Sequence, residues 1–312
     1  MAWAGIALAL IVLVVHVRTY FFLTDDSFIS FRYARNLVHG HGLVFNPGGE
    51  RVEGYTNLLW VLLLSGFGVF GLPMETMASV LSIAATLALF AIVVRFAWTR
   101  LPDGQKWIAV IPALLLAATR SFAVWATSGL ETRLFDFLLV AGVLRLVHEV
   151  EHVHADGSPP RPLAPWILGL AALTRPDGLL VGGCAFLTAF VYQWRRSGRA
   201  PWRTALAWWP MALLVGGHFA FRRAYYGDWL PNTFYAKVGA KHSLDAGLRY
   251  LALFALEYGV VLWIPGIAAG VAARARTKSA FLPALFLATI LPHVLYVATI
   301  GGDHFEFRPL DF

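Results

Sequence analysis

Two adjacent carboxylates, Asp25 and Asp26, stand directly after the first long apolar run of this chain. Neighbouring carboxylates repel one another, so the pair needs a reason to exist. It suits general-base work, or ligation of a cation. A helix N-cap would explain one aspartate but not both. The pair opens the most unusual polar stretch in the sequence, TDDSFISFRYARNLVHGHGLVFNPGGERVEGYTNLLW, which also carries Arg32, Glu53 and Tyr55.

Four later segments bring polar groups to the ends of apolar runs. ATSGLETRLF places Ser128 and Glu131 at the spacing of a capping box, which predicts a helix start there. TRPDG interrupts two apolar runs. Its Pro176 and Gly178 make a turn, but a turn does not require Arg175 and Asp177. A guanidinium at a membrane boundary suits a lipid phosphate, which it binds through two nitrogens. YYGDWLPNTFYAKVG holds Asp228, Asn232 and Lys237 among aromatic side chains, and GGDHFEFRPLDF holds Asp303, His304, Glu306 and Arg308. Aromatics at such places form ordinary interfacial belts and also make sugar- and lipid-binding surfaces. His148, His152 and His154 alternate with Glu149 and Glu151 in a segment rich in Gly and Pro. A solvated linker explains them better than a metal site. There is no P-loop, dinucleotide fingerprint, HExxH or GxSxG motif, so nucleotide-driven chemistry on a soluble domain has no support.

The elements that must position these residues are membrane helices. The chain has 312 residues, 58% hydrophobic and 14% charged, where a soluble domain carries roughly a quarter charged residues. Apolar runs at 3–22, 76–98, 107–121, 131–148, 163–174, 179–194, 205–222, 250–272 and 280–300 predict an all-α, polytopic transmembrane bundle of about nine spans. The runs do not alternate as barrel strands would. The apolar stretch 57–71 is short and predicts a re-entrant or interfacial helix instead. The first run lacks a basic leader and a cleavage site, and reads as a retained span. Residues 27–39 predict an amphipathic helix, with Phe28, Phe31, Ala34 and Leu37 on one face and Arg32, Arg35 and Asn36 on the other.

The net charge of +7 does not indicate nucleic acid, because the basic residues cluster beside helix ends. Arg95, Arg100 and Lys106, then Arg195, Arg196, Arg199 and Arg203, then Arg274, Arg276 and Lys278 all fall on one face, which the positive-inside rule makes cytoplasmic. The loops 23–75, 122–130, 175–178, 223–249 and 301–312 then share the opposite face. A spanning 57–71 would reverse the placement of Asp25 and Asp26. The single cysteine, Cys184, lies in an apolar run and cannot form an intrachain disulfide.

The stretch 24–60 resembles the first outer loop of GT-C glycosyltransferases, in particular the terminal β-arabinofuranosyltransferase group of the mycobacterial cell wall and its bacterial relatives. WATSGLETRLF, LTRPDGLL, YYGDWLPNTFYAK and GGDHFEFRP resemble blocks of that group in the same order. The resemblance implies a GT-C-like transmembrane domain over 1–312, in the bacterial inner membrane, with its active site extracytoplasmic. It implies a polyprenyl-phosphate-sugar donor and a cell-envelope glycan acceptor, with Asp25 or Asp26 acting on the acceptor hydroxyl. Arg32, Arg175, Lys237 and Arg308 become candidates for the donor phosphate. Glu53, Tyr55, Glu131, Asp228 and Asn232 become candidates for sugar or acceptor. No cofactor is firmly implied, and a divalent cation on Asp25 and Asp26 stays open. Family chains continue further, so the end at Phe312 reads as a C-terminal truncation. A transporter or flippase of lipid-linked sugars, or a non-catalytic envelope assembly factor, are the alternative readings. Motif residues gathered at one face favour an interfacial enzyme over a transporter.

Overall fold

A computed structural model describes residues 1–152, 161–238, 244–275, 280–303 and 306–310. Among them the chain is all-helical, with no strand. In order the α-helices are α1 (Ala2–Thr19), α2 (Ser27–Val38), α3 (Leu58–Val69), α4 (Met74–Arg100), α5 (Val110–Ala118), α6 (Arg120–Val124), α7 (Thr132–Glu151) and α8 (Ala164–Thr174). They continue as α9 (Asp177–Ser197), α10 (Trp202–Ala207), α11 (Trp209–Tyr226), α12 (Asn232–Val238), α13 (Leu244–Glu257), α14 (Val260–Ala275) and α15 (Phe281–Ile300).

Among the described residues three helices are long and apolar enough to cross a membrane: α1, α4 and α15. The pair Leu244–Glu257 and Val260–Gly270 passes the same test when taken together, but bends by 77° at the break. The structure therefore supports fewer uninterrupted spans than the hydropathy of about nine runs predicts. The run 107–121 divides into a 3₁₀ turn (Asp103–Ala109), α5 and α6, with Thr119 extended between the last two. The run 205–222 breaks at Trp208. α7 is 20 residues long but carries Arg133, Asp136, Arg145 and Glu149.

The stretch 57–71 forms α3, a helix of 12 residues. It rises about 18 Å, well short of the roughly 30 Å hydrocarbon core. It packs along α2 through Leu58, Trp60, Val61 and Leu64, which share a buried cluster with Phe31, Tyr33 and Ala34. A Cβ added to Gly68, near the end of α3, would meet both Val38 and Met74. α3 thus runs beside α2 and hands the chain to α4 without separating the two. The amphipathic face of α2 differs from the expected one. Ser27, Ser30, Phe31, Tyr33 and Ala34 are buried, while Phe28 is half exposed.

A second buried cluster joins α7, α8, α9, α11 and α15, and a third joins α1, α4 and α5. α8 and α9 form a hairpin whose turn carries Arg175 and Asp177. A Cβ on Gly178 would lie 2.6 Å from the Ala172 nitrogen and 2.8 Å from the Ala171 oxygen. Only glycine lets the start of α9 approach α8 this closely. Gly178→Val is therefore expected to force the hairpin apart at a cost of about 1–3 kcal/mol. A lowered thermal unfolding midpoint of the detergent-purified protein would register it; an unchanged midpoint would show that the close approach is not required.

Candidate functional site

The irregular segment 39–57 has few backbone partners of its own, so other elements must satisfy its polar groups. α2 supplies several. Tyr33 Oη donates to the Val52 carbonyl (2.8 Å) and accepts from the Gly54 amide (2.9 Å). Asn36 Nδ2 donates to the Val44 carbonyl at 2.7 Å. Arg32 Nε donates to the Phe45 carbonyl, and its Nη2 to Asn46 Oδ1, both at 2.7 Å. The guanidinium also lies over the Phe45 ring. Arg32, a candidate phosphate ligand from sequence, is thereby committed to holding its own loop.

Long-range bonds gather the motif segments at one end of the helices. The Thr24 amide donates to the Ser128 carbonyl at 3.0 Å. Asn57 Nδ2 donates to Glu131 Oε2 at 2.7 Å and to Ser30 Oγ at 3.0 Å. Trp60 Nε1 donates to the Gly129 carbonyl at 3.1 Å. Gly129 has a φ of +81°, and a Cβ there would lie 2.8 Å from that of Ser27, so the turn needs glycine twice over. Glu131 therefore does not form a capping box with Ser128. The helix starts at Thr132, with no side-chain cap, and the Glu131 carboxylate is drawn to Asn57.

Asp25 and Asp26 are both exposed beside this contact. Asp25 Oδ1 accepts from the Asp26 amide (2.9 Å) and from Thr24 Oγ1 (3.1 Å), which fixes its carboxylate. Asp26 occupies the N-cap position of α2 without capping it through its side chain. Its carboxylate has no hydrogen-bond or ion-pair partner among the described residues. Capping therefore uses neither carboxylate on the helix amides.

Arg175 and Asp177 pair at 2.7 Å and are largely buried. The Arg175 guanidinium lies over the Phe135 ring. Beside them in α7, Arg133 and Asp136 pair at 3.2 Å and are completely or almost completely buried. Burial works against the Arg175 charge, but the carboxylates of Asp177, Glu131 and Asp136 outweigh it and hold its pKa above the ordinary value. This cluster of five charged groups was only partly legible. Arg133 and Asp136 were not anticipated; two charges three apart at the head of an apolar run are the signal that could have found them.

Glu53 and Tyr55, expected to meet a sugar, are turned inward. The Glu53 carboxylate receives Arg222 Nε on Oε2 and Nη2 on Oε1 (3.2 Å), with His218 Nε2 at 3.3 Å. Neither His218 nor Arg222 was anticipated, because both lie within an apolar run of α11. Tyr55 Oη bonds Tyr226 Oη at 3.1 Å, and Tyr226 in turn donates to the Leu43 carbonyl at 2.8 Å. Burial raises both phenols above their ordinary pKa. The Asn232 amide donates to the Glu53 carbonyl at 2.9 Å, leaving the Asn232 side chain exposed, like Asp228. Lys237 falls on α12, with its side chain outside the described residues.

The segment after α15 closes on the same end. Glu306 accepts Arg120 on its carboxylate (2.6 Å) and Trp125 Nε1 on its carbonyl (2.8 Å). Arg308 pairs with Asp303 at 3.1 Å and lies over the Trp125 ring. His154 and His304 lie outside the described residues. His148 and His152 stack at 4.2 Å. No group of three or more metal-ligating side chains is arranged for an ion among the described residues.

These features define a helical membrane protein with a polar, charge-bearing rim built by loops at one end. By sequence the chain is similar to terminal β-(1→2)-arabinofuranosyltransferases. The terminal β-(1→2)-arabinofuranosyltransferase of Mycobacterium tuberculosis is 32% identical over 78% of this chain and 39% of its own length. That of Corynebacterium glutamicum is 30% identical over 92% of this chain and 46% of its own length. The chain thus spans less than half the length of these relatives. No protein-family model matches it, and no solved structure matches it significantly.

The Glu53–Arg222 pair yields a direct test of structural against ligand-binding roles. Glu53→Ala leaves a guanidinium buried without its counter-charge and is expected to cost about 3–5 kcal/mol. The unfolding midpoint should fall steeply, even in the absence of any sugar. A variant as stable as the native chain would return Glu53 to the sugar-binding candidates.

Proposed function

We propose that this chain is the membrane-embedded part of a glycosyltransferase of GT-C type in the bacterial inner membrane. In this reading it transfers a sugar, arabinofuranose by analogy with the named relatives, from a polyprenyl-phosphate donor to a cell-envelope glycan. The run 107–121 (α5 and α6), α7, α8, α9 and α11 complete its multi-pass topology, about nine spans in all, with α8, only 11 residues long, running back along α7 from Glu149 to the Arg133–Asp136 end. The motif-bearing end faces the extracytoplasmic side. The observation that carries the reading is the exposed Asp25–Asp26 pair, anchored through Thr24 to the Ser128 turn at the end that also carries Arg175.

The chemistry follows from these groups. One aspartate takes the proton of the acceptor hydroxyl as its oxygen bonds to the anomeric carbon. The bond from that carbon to the phosphate oxygen breaks, and the lipid phosphate leaves with the electron pair. Cationic groups near the departing phosphate oppose its growing charge. Arg175 is the strongest candidate. Its one hydrogen bond among the described residues goes through Nη2 to Asp177, so other donors of its fork remain for a phosphate. Arg308 and Lys237 are further candidates, and Arg32 ranks lower because its loop occupies it. Glu131, Asp228 and Asn232 stay candidates for sugar or acceptor. Asp25 and Asp26 are the residues that would hold a divalent cation, with two carboxylates to offer it. The buried Arg133–Asp136 pair does not favour a transporter, because it sits in the first turns of α7 and not midway along it.

Two measurements bear on this reading. In membranes carrying the protein, with polyprenyl-phosphate sugar as donor, Asp25→Asn or Asp26→Asn is expected to slow transfer about 10²–10⁴-fold. Native rates in both variants would remove the aspartates from the mechanism. For sidedness, a cysteine replaces exposed Glu50 or exposed Ser197 in a Cys184→Ala background. A membrane-impermeant thiol reagent should label intact cells at position 50 only. Labelling confined to position 197 would invert the proposed topology.

A further inference from the structure

A groove lies away from the motif loops, between α9 and α15, with a volume of about 830 Å³. Leu187, Val191, Arg195 and Arg196 line it from α9, and Ala284 and Ala288 from α15. Its walls are apolar over most of their length, and Leu187 is 58% exposed. Both arginines stand together at one mouth, in the last turn of α9. No acidic side chain lines the groove, and neither arginine has an ion-pair partner among the described residues.

Its depth and position are set by α9. That helix has 21 residues, so it rises about 30 Å, a full hydrocarbon core. Asp177 at its start belongs to the motif end, and Arg195 and Arg196 mark the far end. The groove covers the stretch from Leu187 to Arg196, which rises about 14 Å. It is therefore one leaflet deep and opens at the leaflet opposite the Asp25–Asp26 end. An apolar trough of leaflet depth with two guanidiniums at its mouth matches one class of molecule. Acyl chains fill the trough, and a phosphate meets the arginines bidentately. Ala280, just before α15, also lines the groove.

We propose that the α9–α15 groove is a binding site for an anionic phospholipid of the leaflet opposite the motif loops. The occupant is a structural or regulatory lipid, separate from any sugar donor, and the site does not depend on the transfer reaction.

The full chain in detergent can be titrated with phosphatidylglycerol, phosphatidylcholine or inorganic phosphate while thermal unfolding is followed. Phosphatidylglycerol is expected to raise the unfolding midpoint saturably, and the other two to leave it unchanged. Arg195→Gln and Arg196→Gln should each weaken the phosphatidylglycerol effect about fivefold. Ala284→Trp, at an exposed position, should abolish it by filling the trough without lowering the lipid-free midpoint. Equal stabilisation by phosphatidylcholine, an effect of phosphate alone, or undiminished lipid binding in the arginine variants would overturn the proposal. So would photocrosslinking from position 288 to protein instead of lipid, which would make the groove the seat of another helix.

Discussion

The buried carboxylate of Glu53 is the constraint on which much of the motif end depends. An anion with almost no exposure to water is tolerable only with a matched cation and full hydrogen bonding. Arg222 supplies both, with His218 beside it, and the guanidinium also donates to the Trp229 carbonyl at 3.1 Å. One ion pair thereby joins the irregular first loop, the end of α11 and the connection beyond it. Around this joint the loop needs little regular structure, since α2 side chains satisfy its carbonyls and amides one by one. Such loops survive at a membrane end because protein groups replace the water their backbones would otherwise need.

Local signals in the sequence were read well where one physical term dominated. Hydropathy marked α1, α4 and α15, and the brevity of 57–71 marked α3 as a short apolar helix. TRPDG announced the α8–α9 turn. Side-chain direction is less legible. Glu53, Tyr55 and Glu131 take partners that lie 169, 171 and 74 residues away in sequence. No local pattern encodes such pairings. The spacing of Ser128 and Glu131 marked a helix start, which falls at Thr132, but the capping box itself does not form, because Asn57 offers the Glu131 carboxylate a buried hydrogen bond. Phe28 was misassigned for a similar reason. The face of α2 that is buried follows the position of α3, not the hydrophobicity of α2 alone.

Charge is divided between two ends of the molecule with different uses. At the motif end much of it is paired and buried, as in Arg133–Asp136, Arg175–Asp177 and Glu53–Arg222, with Asp25 and Asp26 left exposed. At the other end it is largely solvent-facing, as in Arg195, Arg196 and Arg199. The Arg100–Glu151 pair (2.5 Å) ties α4 to α7 there. Buried pairs fix geometry at the cost of desolvation, whereas open arginines keep their reach for ligands outside the protein. The membrane sees a rigid end and a charged end.

Arg120 has a temporal consequence. Its guanidinium grips Glu257 at 2.5 Å and Glu306 at 2.6 Å, partners 137 and 186 residues downstream. A ribosome delivers Arg120 long before either glutamate. Until residue 306 has emerged, this corner of the rim cannot close, and Arg120, Ser121 and Trp125 remain without the partners they will take up. The loops carrying the candidate chemistry are thus among the first parts synthesised and among the last to be locked. Assembly of the site is therefore timed by the insertion of α13 and α15, not by the order in which its own residues are made.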